Sequence, residues 1–141
     1  MSIDRAVAAL GLGIATALGA AAVAGAVARS NEPIVIDVTI HYSRFEPAAI
    51  SVPAGRPVMF VIHNTDPIDH EWIVGDEGFH ERHRSGTEPV HDARPTEVSI
   101  DALTERSTTV TFAQRGRLTF IRHLPGHEAY GMTGTLTVTG G

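Results

Sequence analysis

The sequence past its first thirty residues predicts an all-β fold, a β-sandwich. Three observations carry this. Apolar and polar residues alternate with period 2 in several segments, as half-buried strands require. Each segment is short, β-branched or aromatic, and bounded by turn residues. About seven such segments fall within roughly 110 residues, enough chain for one core and too little for two.

Taken in order, the chain of 141 residues opens on "MSIDRAVAALGLGIATALGAAAVAGAVARSNEP", in which one Arg precedes an uncharged run from Ala6 to Ala28 ending in "AVA". This predicts an N-terminal hydrophobic export segment over residues 1–28, followed by a folded domain over 32–141. Two readings fit: a signal peptide cut near Ala28, or an uncleaved anchor helix, since the run is long enough for a bilayer core of about 30 Å. Both put the domain outside the cytoplasm, in the periplasm, secreted or membrane-anchored, with membrane contact only through this segment. A buried core helix is disfavoured because the run has no polar face.

"IVIDVTIHY" sets Ile34, Ile36, Val38 and Ile40 on one face of a strand. "FEPAAISVPAGRPVMFVIHN" holds two strands around the Pro-Ala-Gly turn. "HEWIV", "TEVSI", "STTVTF", "RLTFI" and "GTLTVT" follow as strands. Between the first two of these lies "GDEGFHERHRSGTEPVHDARP", Gly75 to Pro95, a polar surface insertion with a short helical turn around Glu77 to Arg84.

Net charge is −5, from 11 basic and 16 acidic residues, and every basic residue is arginine. Nucleic acid is excluded as a partner on that balance. Cysteine is absent, which removes disulfides, thiolate zinc sites, iron–sulfur clusters and cysteine nucleophiles together. No phosphate loop, G-x-S-x-G or H-E-x-x-H is present, so the chain is expected not to be an enzyme.

Three stretches resemble the cupredoxins, the type 1 or blue copper family. "F.P..I.V.AG.PV.F...N", Phe45 to Asn64, is similar to that family's second and third strands. "N.....HEW.V", Asn64 to Val74, is similar to the segment giving its first histidine ligand. "PGHEAYGMTGTLTV", Pro125 to Val138, is similar to its ligand loop and terminal strand. The resemblance implies a Greek-key sandwich binding copper, Cu(I) or Cu(II), through His70, His127 and Met132. It implies that Asn64 ties the ligand loop; Trp72 and Phe120, large and apolar, are expected in the core. His127 and Met132 are five residues apart across a turn eased by Gly126 and Gly131, and imidazole and thioether together suit copper.

Arg122 stands where the family has its ligand cysteine. Without a thiolate no blue site forms. A guanidinium stays protonated, and at about 4 Å from Cu(II), with an effective dielectric near 20, it repels the ion by about 8 kcal/mol, comparable to micromolar binding. Three outcomes follow: Arg122 swings to Asp69, Glu71 or Glu128, the metal moves, or no metal binds. His123 replaces the cysteine only if a bulge turns it inward, since neighbouring strand residues face opposite ways. His80, His83 and His91 lie in the insertion, where "HERH" offers two imidazoles on one helical face. They make a looser second metal site or a solvated loop, the latter favoured. His41 and His63 read as structural.

The functions these residues suggest are copper storage, delivery or sensing through a thiolate-free site, with a redox or copper-trafficking protein as partner. The alternatives are an interaction module that has lost copper, and the electron carrier that the resemblance would ordinarily imply.

Overall fold

The strand Pro57–Asn64 shows how the sequence builds the core: Val58, Phe60, Ile62 and Asn64 are buried while the residues between them are not. The computed structural model describes residues 32–86, 94–123 and 131–140. Among these it has nine strands, β1 Ile34–His41, β2 Arg44–Glu46, β3 Ala49–Pro53, β4 Pro57–Asn64, β5 His70–Gly75, β6 Glu97–Ile100, β7 Glu105–Thr111, β8 Gly116–Ile121 and β9 Thr133–Thr139, and one helix, α1 Glu77–Arg84. The count exceeds the expected seven or so. The strand that alternation does not reveal is β2, whose three residues are too few to show a period.

One sheet runs β2-β1-β4-β7 and the other β3-β9-β8-β5-β6. Pairs β1–β4 and β3–β9 are parallel and the rest antiparallel, giving the Greek-key sandwich. Its inner faces meet in Val38, Ile40, Phe60, Ile62, Trp72, Phe120, Leu136 and Met132, all fully buried. Trp72 packs on Phe60 with ring centroids 4.7 Å apart, and Phe45 meets Phe120 edge-on at 5.3 Å, the tilted contacts that aromatic quadrupoles favour.

The ring of Phe120 lies against its cross-strand partner Gly134. A Cβ added at Gly134 would fall 2.1 Å from Phe120 Cζ and 2.8 Å from the Ala48 carbonyl oxygen. Backbone cannot yield there as a side-chain tip could. Gly134→Ala is therefore expected to destabilise the domain by about 1–3 kcal/mol, read as a lower urea midpoint; an unchanged midpoint would show that Phe120 repacks freely.

The described start of the insertion after β5, residues 75–86, is not a solvated loop. Asp76 caps α1 by accepting a hydrogen bond from the Phe79 amide at 2.7 Å, and Phe79 lies so close on Gly75 that a Cβ there would clash with its ring. His80 and His83, expected at the surface, are buried at 0% and 9% exposure. The apolar anchor Phe79 pins the helix to the sheet, and the spacing of "HERH" turns both imidazoles the same way. His91 lies outside the described residues, as do the export or anchor segment and Gly126, His127 and Glu128 of the loop. No helix among the described residues is long and apolar enough to cross a membrane.

Candidate metal centre

His70 opens β5 and is 1% exposed. Its Nε2 lies 2.9 Å from Asp66 Oδ2, and its Nδ1 lies 2.5 Å from a terminal guanidinium nitrogen of Arg122. Arginine has no acceptor, so Nδ1 accepts and the ring proton sits on Nε2, which donates to Asp66. The tautomer is thereby fixed: a carboxylate behind the imidazole, and its lone pair aimed at the side chain of Arg122. A buried carboxylate holding one imidazole nitrogen while the other points into a site is how metal-ligating histidines are oriented. Here the place in front of the lone pair is filled by a permanent cation.

Asp66 does more than orient His70. Tyr42 and Ser43, both at positive φ (48° and 53°), donate their backbone amides to its two carboxylate oxygens at 2.7 and 2.8 Å. Burial works to raise the Asp66 carboxyl, but the Ser43 and Tyr42 amides and His70 outweigh it and hold it below its ordinary value. One carboxylate thus ties the left-handed turn between β1 and β2 to the site. The sequence reading missed Asp66; its only signal is an acid four residues before His70 in "DPIDH", a spacing too common in loops to single out.

Arg122 is 4% exposed. It follows β8, and its amide donates to the Met132 carbonyl at 3.3 Å, so β8 and the start of β9 bring Met132, fully buried, beside it. Burial draws the guanidinium down from its ordinary value against the nearby carboxylates Glu71, Asp69 and Asp66, and it starts high enough to remain charged. Of the carboxylates to which it could swing, Glu128 lies outside the described residues; the side chain turns inward to His70, with Asp69 and Glu71 as its electrostatic surroundings. Gly131, at φ +90°, supplies the turn into Met132 that a side chain would strain.

Asn64 is buried at 3% exposure, and its amide nitrogen donates to the carbonyls of Ile68, Ile100 and Asp101 at 2.8, 3.3 and 3.0 Å, while its oxygen accepts from the Asp66 amide at 3.1 Å. It ties the segment that presents Asp66 and His70.

His123, which like Arg122 lies just past the end of β8, faces the other way from it, continuing the alternation of the strand. Its Nε2 lies 2.8 Å from His80 Nδ1, and its ring centroid is 5.0 Å from that of His80 and 4.9 Å from that of His83. His63 sits between Asp37 at 3.0 Å and Glu105 at 2.8 Å.

The histidines respond to pH in opposite senses. Burial lowers His80 and, with the charges of His80, His83 and Arg84, pushes His123 down to about 4. An unfolded histidine titrates near 6.5, so as pH falls from about 6.5 to about 4 the unfolded chain takes up protons that the folded chain refuses, and stability drops. The hydrogen bond to Asp37 and the charge of Glu105 raise His63; its contribution is complete below about 6.5 and fades as pH rises through its raised value. His123→Gln should flatten the acid side of a urea-midpoint profile between pH 4 and 6.5, and an unaltered profile would refute the assignment.

The donors present fit a blue copper centre only in part. An oriented imidazole and a buried thioether are there, the thiolate is not, and a guanidinium occupies its position. A Greek-key sandwich whose histidine and methionine lie where two strands begin defines the class, that of small copper-site β-sandwich domains. Residues 12–138 match the family described as "Cupredoxin-like domain", and the chain belongs to that family. It is 32% identical over 98 residues to the copper-resistant cuproprotein CopI of Rubrivivax gelatinosus, covering 67% of this chain and 59% of that protein; the match thus spans less than two thirds of the relative. Among solved structures it resembles auracyanin B (TM-score 0.62, 24% identity, 74% of this chain and 88% of the other) and the reduced auracyanin of Roseiflexus castenholzii (TM-score 0.63, 20% identity, 74% and 96%).

Proposed function

We propose that this protein works outside the cytoplasm as a thiolate-free copper binder that stores, delivers or senses copper through His70, His127 and Met132, with Arg122 holding the site when copper is absent. The observation that carries this is the hydrogen bond from Arg122 to His70 Nδ1. A lone pair set for a metal by Asp66 is capped by a cation that Asp69 and Glu71 can receive when it leaves. Cu(I) suits the donors because a single charge halves the repulsion from Arg122 and because thioether and imidazole are soft enough to hold it. The likeness to a copper-resistance cuproprotein supports the same reading. It favours a carrier over a catalyst, with a copper-trafficking or redox protein as the receiver.

The test is titration with Cu(I) without oxygen and with Cu(II) in air, for the wild type and His70→Ala. One Cu(I) equivalent is expected, with no intense visible band, and with a melting temperature raised by mass action, about 2.7 kcal/mol of stabilisation at one hundred times Kd. His70→Ala should lose most of that rise. The second reading, an interaction module that has lost copper, draws on the hydrogen-bonded chain from Asp66 through His70 to Arg122. It is the answer if neither copper ion moves the melting temperature. An electron carrier is disfavoured by the missing thiolate.

A further inference from the structure

The geometry points to a second metal site, built from His80, His83 and His123 on the side of β8 opposite Arg122, that takes an imidazole-preferring divalent ion such as Zn(II). It is separate from the His70 site and does not depend on copper binding there.

The three imidazoles come from two elements. The alternation of β8 carried on past its end at Ile121 sends Arg122 inward and His123 outward, and α1 lies over that outward face, with His80 fully buried and His83 at 9% exposure. His80 Nε2 is 3.0 Å from the Thr119 carbonyl oxygen. A carbonyl only accepts, so Nε2 carries the proton and Nδ1 keeps its lone pair. That lone pair faces His123 Nε2 at 2.8 Å. Two nitrogens bound tetrahedrally to one ion at about 2.0–2.1 Å each stand about 3.3 Å apart, so this pair needs to open by only about 0.5 Å to hold one. The Thr119 carbonyl behind His80 is the outer contact that fixes a ligand histidine's tautomer.

Among the described residues no three donors already surround one point. The ion would displace the proton shared between His80 Nδ1 and His123 Nε2 and lie to one side of the line joining them, with both rings turning to aim their lone pairs at it. That proton moves to His123 Nδ1 by tautomer exchange, so none is released from these neutral rings. His83, whose ring stands 4.9 Å from that of His123, reaches the ion by turning about its own side-chain bonds. The nearby Arg84 is held by Glu77 at 2.7 Å and Glu81 at 3.3 Å, which offsets its repulsion.

Isothermal titration of the purified protein with Zn(II), an ion that has little use for the Met132 thioether, tests this. One equivalent is expected in the wild type and in His70→Ala, with affinity at least about 100-fold weaker in His123→Gln and His80→Gln. On zinc addition the imidazole nitrogen resonances of His80 Nδ1 and His123 Nε2 should shift. If His80→Gln fails to fold at its buried position, His123→Gln, at a half-buried one, decides. Absence of zinc binding, equal affinity in His123→Gln, or loss of binding in His70→Ala alone would each overturn the proposal.

Discussion

Arg122→Cys is expected to turn the protein into a blue copper protein when one equivalent of Cu(II) is added. The substitution removes a repulsion of about 8 kcal/mol at contact distance and places a thiolate, the strongest ligand for such a site, where the guanidinium stood. His70 Nδ1 is uncapped in the same step and is still oriented by Asp66. The fully buried Met132 offers the weak axial sulfur that such sites carry. The readout is an intense visible band absent from the wild type under the same conditions. A variant that folds, takes up Cu(II) and stays colourless would mean that His70 and Met132 do not converge on position 122.

Asp66→Ala should cost more stability than any other single truncation near the site, about 3–5 kcal/mol. Three donors lose their acceptor at once: the Tyr42 and Ser43 amides and His70 Nε2. Hydrogen bonds to a charged acceptor contribute about 1.5–3 kcal/mol each, and removing one member of a buried charged group leaves the others uncompensated. The turn is strained besides, since neither Tyr42 nor Ser43 is glycine and both sit at positive φ. Urea denaturation should show a lowered midpoint with an unchanged slope. A loss under 1 kcal/mol would mean that water replaces the carboxylate and that the turn holds itself.

The strands and the outline of the centre were legible because they depend on local pattern. Alternation in "VMFVIHN" places Val58, Phe60 and Ile62 inward without reference to the rest of the chain, and glycine at position 131 announces the turn before Met132 that the positive φ requires. The missing cysteine could be read directly from the sequence. What Arg122 does instead could not, because its partner lies 52 residues away and an exposed carboxylate is the usual destination of an arginine. Asp66 escaped notice for the same reason: its role rests on the turn between β1 and β2, more than twenty residues earlier. The histidines of α1 were misread as solvated because the insertion is polar on average; burial was decided by Phe79 seated on Gly75 and by Thr119 and His123 arriving from β8.

The central claim is that Arg122 holds the lone pair of His70 that copper must take. Imidazole nitrogen NMR of the wild type during anaerobic Cu(I) titration tests it most directly. The account predicts that free His70 carries its proton on Nε2 with a hydrogen-bonded Nδ1, and that one equivalent of Cu(I) shifts the Nδ1 resonance while Nε2–H persists. If Cu(I) binds and the His70 resonances do not move, the metal is held elsewhere and Arg122 is a permanent part of a closed site.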